Sequence, residues 1–269
     1  MRNFVLIILA VAITSCKSLK TEFSKELNVL FIGNSLTYYH EMPQTLQMML
    51  NETNPNINID QSTYPGYSLS QHLSQKTEST TEHRVTTLTE KMIVEKDWDI
   101  IILQTGTVSV LIPENRELKV NRAISRIKEL AINKDCKFIL FNTWPSKREY
   151  PKKYCYSGYS IDKSIKDIDY CSPIMENLEQ EITAINESYN LVSKSNNIIK
   201  SENGNKFHEI RTSHPEIELY EDDIHPNKYG AFLNACVFYQ MITDKKASEL
   251  KYNGEIGPKT AELLKKIAE

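Results

Sequence analysis

Four short segments constrain the fold of this chain more than any other feature. Residues 28–32 (NVLFI), 57–62 (INIDQS), 99–103 (DIIIL) and 137–142 (KFILFN) read as β-strands, and all but the second are nearly continuous apolar runs. A strand with one wet face alternates apolar and polar residues. An unbroken apolar run needs cover on both faces, which a parallel sheet between helices supplies. Helical patterns stand between and after these strands, at 42–51, 68–76, 82–95, 114–132 and 173–195. A last strand is expected near 198–200, and a closing amphipathic stretch at 227–243 is entered through Pro226. Strand–helix alternation of this kind predicts an α/β fold, a three-layer doubly wound parallel sheet. No internal repeat or low-complexity linker interrupts it, so residues 27–269 are expected to form one domain.

Charge narrows the partners. Lys and Arg total 32 against 35 Asp and Glu, a net charge of −3, which gives no reason to expect nucleic acid as a partner. Cys136 and Cys236 lie in apolar surroundings and are expected to be buried thiols. Cys155 and Cys171 flank one Tyr-rich segment, and either a disulfide or two unpaired thiols fits them. Neither a CxxC nor a Cys/His cluster at zinc spacing occurs, so no metal and no cofactor is expected.

Ligands of open α/β sheets bind at the carboxyl ends of the strands. The first such end is Gly33-Asn34-Ser35-Leu36-Thr37, which places Ser35 at the sheet's mouth and its N–H at a helix start, where negative charge is stabilised. Near the other end of the chain stands Asp222-Asp223-Ile224-His225-Pro226-Asn227. An Asp three residues before a His can bend back onto Nδ1 and leave Nε2 free to take a proton. Serine, a weak nucleophile by itself, needs such a base. Ser35 alone would be read as a helix cap; together with Asp222 and His225 it reads as a nucleophile. The other histidines, His40, His72, His83, His208 and His214, lack that arrangement and are expected to be surface or local hydrogen-bonding residues. Tyr38 and Tyr39, just after Ser35, either line a pocket or pack on the helix. The polar, Tyr-rich stretch 144–171, basic at its start, is expected to overhang the site as a sugar platform or to be a decorated surface loop.

These blocks resemble those of the SGNH (GDSL-like) serine hydrolases. Gly33-Asn34-Ser35 is similar to the first block, commonly G-D-S with G-N-S as a variant. Asp222 with His225-Pro226 resembles the last block, D-x-x-H-P, and Gly66 in Tyr64-Pro65-Gly66-Tyr67-Ser68 fits the second. The resemblance runs from about residue 27 to 243. It implies Ser35 as nucleophile, His225 as base, Asp222 as its orienter, and the N–H groups of Ser35 and Gly66 in the oxyanion hole. The third block, G-x-N-D, departs: with Gly106 aligned to the family glycine, Val108 stands where the asparagine belongs. Gln104, at the end of the third strand, is the candidate third donor, as in a subgroup whose strand ends in Leu-Gln, and Asn142 is its rival.

The beginning of the chain reads as an export signal. Arg2 precedes a charge-free apolar run at 4–13 (FVLIILAVAI), too short to cross about 30 Å of hydrocarbon. Residues 13–16 (ITSC) resemble the lipobox of bacterial lipoproteins, which implies a signal peptide at 1–15, lipidation of Cys16, a tether at 16–26 and anchorage at the outer or periplasmic side of a membrane. An ordinary signal peptide that contains Cys16 is the alternative. The function expected is ester hydrolysis, with a small acyl group such as acetyl removed from an extracellular carbohydrate; the competing readings are a non-catalytic glycan-binding lipoprotein and an acyltransferase.

Overall fold

The computed structural model describes residues 26–74 and 87–269. The signal segment, Cys16, most of the tether and His83 lie outside them. Five parallel strands form the central sheet: β1 (Leu27–Gly33), β2 (Ile57–Thr63), β3 (Ile100–Leu103), β4 (Lys137–Leu140) and, after an antiparallel hairpin of β5 (Cys155–Ser157) and β6 (Asp169–Cys171), β7 (Ile199–Lys200). Their order, β2-β1-β3-β4-β7, is the flavodoxin-like doubly wound order, which reverses direction between β1 and β3.

The apolar runs do what two-sided burial requires. Along β1, Val29 and Phe31 enter one core with Met42, Leu46 and Phe238, while Leu30 and Ile32 enter the other with Ile124, Ile185 and Tyr189. All four β1 side chains are fully buried. The helices Met42–Thr53 and Lys228–Thr243 cover the first face; Leu88–Glu95, Arg122–Leu130 and Leu178–Asn196 cover the second.

Several expectations need correction. Residues 227–243 do not form an amphipathic surface helix: Gly230 to Tyr239 is buried without a break. The cause is the C-terminal helix Pro258–Ile267, which packs Ala261 and Leu264 into the same core and closes the outer side. The stretch 114–132 is not one regular helix, since a π-helical turn at Arg116–Asn121 precedes Arg122–Leu130. Cys136 is only half-buried, although desolvation still pushes its thiol up to about 12; Cys236 is buried. Of the two roles expected for His72, surface or hydrogen-bonding, the structure shows the second: it is 1% exposed and bonded to Gly33 and Thr89. Cys155 and Cys171 face each other across the β5–β6 pair and are joined by a disulfide. No helix among the described residues is long and apolar enough to cross a membrane.

Candidate active site

Ser35 opens the helical turn Ser35–Tyr38 directly after β1, beside the point where the strand order reverses. Asn34 caps that turn: its Oδ1 accepts the Leu36 N–H at 3.1 Å, and its Nδ2 donates to the Tyr67 carbonyl at 2.9 Å. The glycine before it is needed for space, because a Cβ on Gly33 would lie 2.4 Å from Thr37 Oγ1 and 2.7 Å from Gln104 Oε1.

The fold brings Ser35, His225 and Asp222 into one hydrogen-bonded chain across 190 residues of sequence. Ser35 Oγ is 2.8 Å from His225 Nε2, and His225 Nδ1 is 2.7 Å from Asp222 Oδ2. With Nδ1–H donating to the carboxylate, Nε2 carries the lone pair that accepts the serine O–H. Asp222 Oδ1 accepts the backbone N–H groups of Ile224 and His225, each at 2.8 Å. Partial burial works against the Asp222 charge, but these N–H groups and the imidazole outweigh it and hold the carboxyl down at about 2. Such a group stays ionised at neutral pH and presents a full negative charge to the imidazole.

The loop that carries this pair is pinned from two sides. Trp144, stacked on Phe207 at 3.9 Å, donates its indole N–H to the Ile224 carbonyl at 2.9 Å. The Lys147 N–H donates to the Asp223 carbonyl at 2.8 Å. On the nucleophile's side, the Tyr39 ring lies parallel to His225 at 4.2 Å, and His40 pairs with Glu221. Both His40 (φ 47°) and Glu41 (φ 53°) are left-handed, a conformation that costs non-glycine residues energy and persists only where neighbours hold it. None of these supports was identified from sequence, apart from Tyr39 as a candidate pocket residue. Trp144 and Ile224 are 80 residues apart, and no local pattern announces such a contact.

Gly66 occupies the third position of a turn in which Tyr67 N–H reaches Tyr64 O at 3.3 Å. Its φ of +69° follows Pro65 as a type II turn demands. Gly66 and Ser35 line one cavity of about 220 Å³, together with Gly106, Trp144, Tyr154 and Tyr156. Neither the Ser35 nor the Gly66 N–H has a hydrogen-bond partner among the described residues. A second groove of about 490 Å³ shares Asn34, Gly66, Gly106 and Tyr156 with it, so the stretch 144–171 does overhang the site through its tyrosines.

Gln104 and Asn142 are both fully buried and line neither space. Gln104 Oε1 accepts the Asn34 N–H at 2.7 Å and the Thr37 hydroxyl at 3.0 Å. Asn142 Oδ1 accepts the Gly204 N–H at 3.0 Å. Each leaves its amide nitrogen buried without a partner among the described residues. His72 lies beneath the same turn, Nε2 at 2.9 Å from the Gly33 carbonyl and Nδ1 at 2.9 Å from Thr89 Oγ1. Desolvation drives its imidazole down to about 4, the Gly33 hydrogen bond opposing the shift. The described residues hold no cluster of His, Cys, Asp and Glu fit to bind a metal ion.

No family model and no curated protein matches the sequence. Solved structures do match. A DUF4886 family protein from Bacteroides uniformis is 19% identical, with a TM-score of 0.66 over 90% of this chain and 93% of its own. A candidate SGNH hydrolase from Slackia heliotrinireducens is 18% identical, with a TM-score of 0.56 over 81% and 100%. A catalytic serine-to-alanine mutant of an acetylxylan esterase from Geobacillus stearothermophilus is 13% identical, with a TM-score of 0.52 over 81% and 95%. The parallel five-stranded sheet and these likenesses agree: the chain has the SGNH hydrolase fold.

Proposed function

We propose that this protein is a serine esterase that removes a small acyl group, acetyl foremost, from an extracellular carbohydrate. The observation that carries the reading is the unbroken Ser35–His225–Asp222 hydrogen-bond chain at the edge of a cavity. His225 Nε2 takes the Ser35 proton as Oγ attacks the ester carbonyl, then returns it to the departing alcohol. Asp222 keeps Nδ1 protonated and stabilises the imidazolium formed in between. The unpartnered N–H groups of Ser35 and Gly66 receive the oxyanion, each worth about 3 kcal/mol of transition-state stabilisation by analogy with donors removed elsewhere. Water then attacks the acyl-serine with His225 again as base. Gln104 acts from below, holding Asn34 and Thr37 through its oxygen.

Support for a carbohydrate substrate comes from the acetylxylan esterase among the structural likenesses and from the tyrosines over the cleft. The export signal and the lipobox-like Cys16 support a membrane-anchored enzyme facing outward. The test is release of p-nitrophenol from p-nitrophenyl acetate by protein lacking residues 1–16, beside its Ser35→Ala variant. Loss of turnover in a folded Ser35→Ala protein is expected; equal activity in the two would overturn the assignment.

A further inference from the structure

The cavity beside Ser35 is also lined by an arginine that the ester chemistry does not use. Arg148 lines it, and its N–H groups make no hydrogen bond to a described residue. Its one ion pair among the described residues, Nε to Asp223 Oδ2 at 3.6 Å, joins two half-exposed side chains (56% and 63%). Exposed pairs of that length contribute little and exchange readily with another anion. The other charges at this edge are already matched. Glu181, which also lines the cavity, is buried against Lys152 Nζ at 2.6 Å, the Tyr150 hydroxyl at 2.7 Å and the Ser146 N–H at 3.3 Å. Lys147 is paired with Glu218. Arg148 is therefore the cation of the cavity wall without a buried counter-charge, and it shares that wall with Tyr154 and Tyr156, whose rings suit the apolar face of a sugar.

Resting on the serine-esterase reading, we infer that Arg148 selects esters whose alcohol part carries a carboxylate, as an acylated uronic acid does. A guanidinium offers a planar fork that matches a carboxylate bidentately, and it keeps its charge at any relevant pH. The Asp223 carboxylate, with Oδ2 at 3.6 Å from Nε, competes with the substrate's for the guanidinium.

The experiment compares 4-acetoxybenzoate with its methyl ester, a pair that shares the acetyl group and differs in the charge of the alcohol part. In Arg148→Gln the ratio of kcat/KM, anionic over neutral, is expected to fall about tenfold, chiefly through KM, which corresponds to about 1.4 kcal/mol. Asp223→Asn, which removes the competing carboxylate, is expected to raise that ratio, and added salt to lower it in the native protein. A ratio unmoved by Arg148→Gln overturns the inference while leaving the esterase reading intact. Native protein inert toward both esters counts against the esterase reading instead. In that event calorimetry with 4-hydroxybenzoate decides anion recognition by itself: binding lost in Arg148→Gln supports it, and absent or equal binding overturns it.

Discussion

Gln104 Oε1 accepts the backbone N–H of Asn34 at 2.7 Å, so the residue that the third strand contributes to the site is spent on the turn that carries Ser35. A backbone N–H can only donate, which fixes the oxygen end of the amide against Asn34 and leaves the nitrogen buried. The expected outcome for Gln104→Leu is a loss of stability of about 1–3 kcal/mol, since it orphans a buried N–H. Thermal unfolding checks it, with Tm lower by several degrees and esterase activity falling alongside. An unchanged Tm with a collapsed kcat would mark Gln104 as an oxyanion donor.

Asp222 is held at about 2, below the ordinary carboxyl range of about 3.9. A depressed carboxyl stabilises the fold above its unfolded pKa and loses that contribution as pH falls through its folded one. The window is therefore about pH 4 down to about pH 2. Above it the carboxylate stays charged and sets no limb of the pH–rate profile. Asp222→Asn is expected to lower kcat by about 10³–10⁴, as losing the imidazole's orienting anion does in serine proteases, with KM little changed.

His72 also costs the fold stability in acid, over a higher pH window than Asp222. Its folded pKa of about 4 lies below the ordinary imidazole value of about 6.5, so the unfolded chain binds the proton first. Stability should fall as pH drops from about 6.5 to about 4, by about 3 kcal/mol at 1.36 kcal/mol per unit, and level off below. Urea unfolding across that range reads the slope, which His72→Gln should flatten.

The Tyr39 ring stacked on His225 at 4.2 Å restrains the imidazole plane through one of its faces. Tyr39→Ala is expected to lower kcat about three- to tenfold, in line with about 0.5–1.5 kcal/mol for an aromatic pair. Tyr39→Phe should retain activity, because the stacking needs the ring and not the hydroxyl.

The disulfide between Cys155 and Cys171 closes a loop of 16 residues and holds the hairpin bearing Tyr156 over both grooves. Replacing both cysteines by serine should cost about 3 kcal/mol by loop-closure entropy. Denaturant midpoints check the loss, and KM for a glycan ester should rise more than KM for p-nitrophenyl acetate.

The strands were legible because two-sided burial writes unbroken apolar runs such as those at 100–103, and the candidate triad because Ser35 and the Asp222–His225 spacing carry their own chemistry. Other parts leave no such trace. The helix Asn203–Ser213 buries only Phe207 and Ile210 among its large apolar residues, too few for a periodicity. The Tyr39 stacking and the Trp144 bond to Ile224 join segments that the chain keeps far apart. The C-terminal helix did leave a signal, with Pro258 at its start and Ala261, Leu264 and Ile267 at helical spacing, and its weight lay in explaining why Gly230 to Tyr239 is buried.

Reaction with a fluorophosphonate probe, located by mass spectrometry, tests the central claim most directly. The account predicts a single phosphonylated residue, Ser35, with labelling abolished in His225→Ala as well as in Ser35→Ala. Labelling at another residue, or none in the folded native protein, would contradict it.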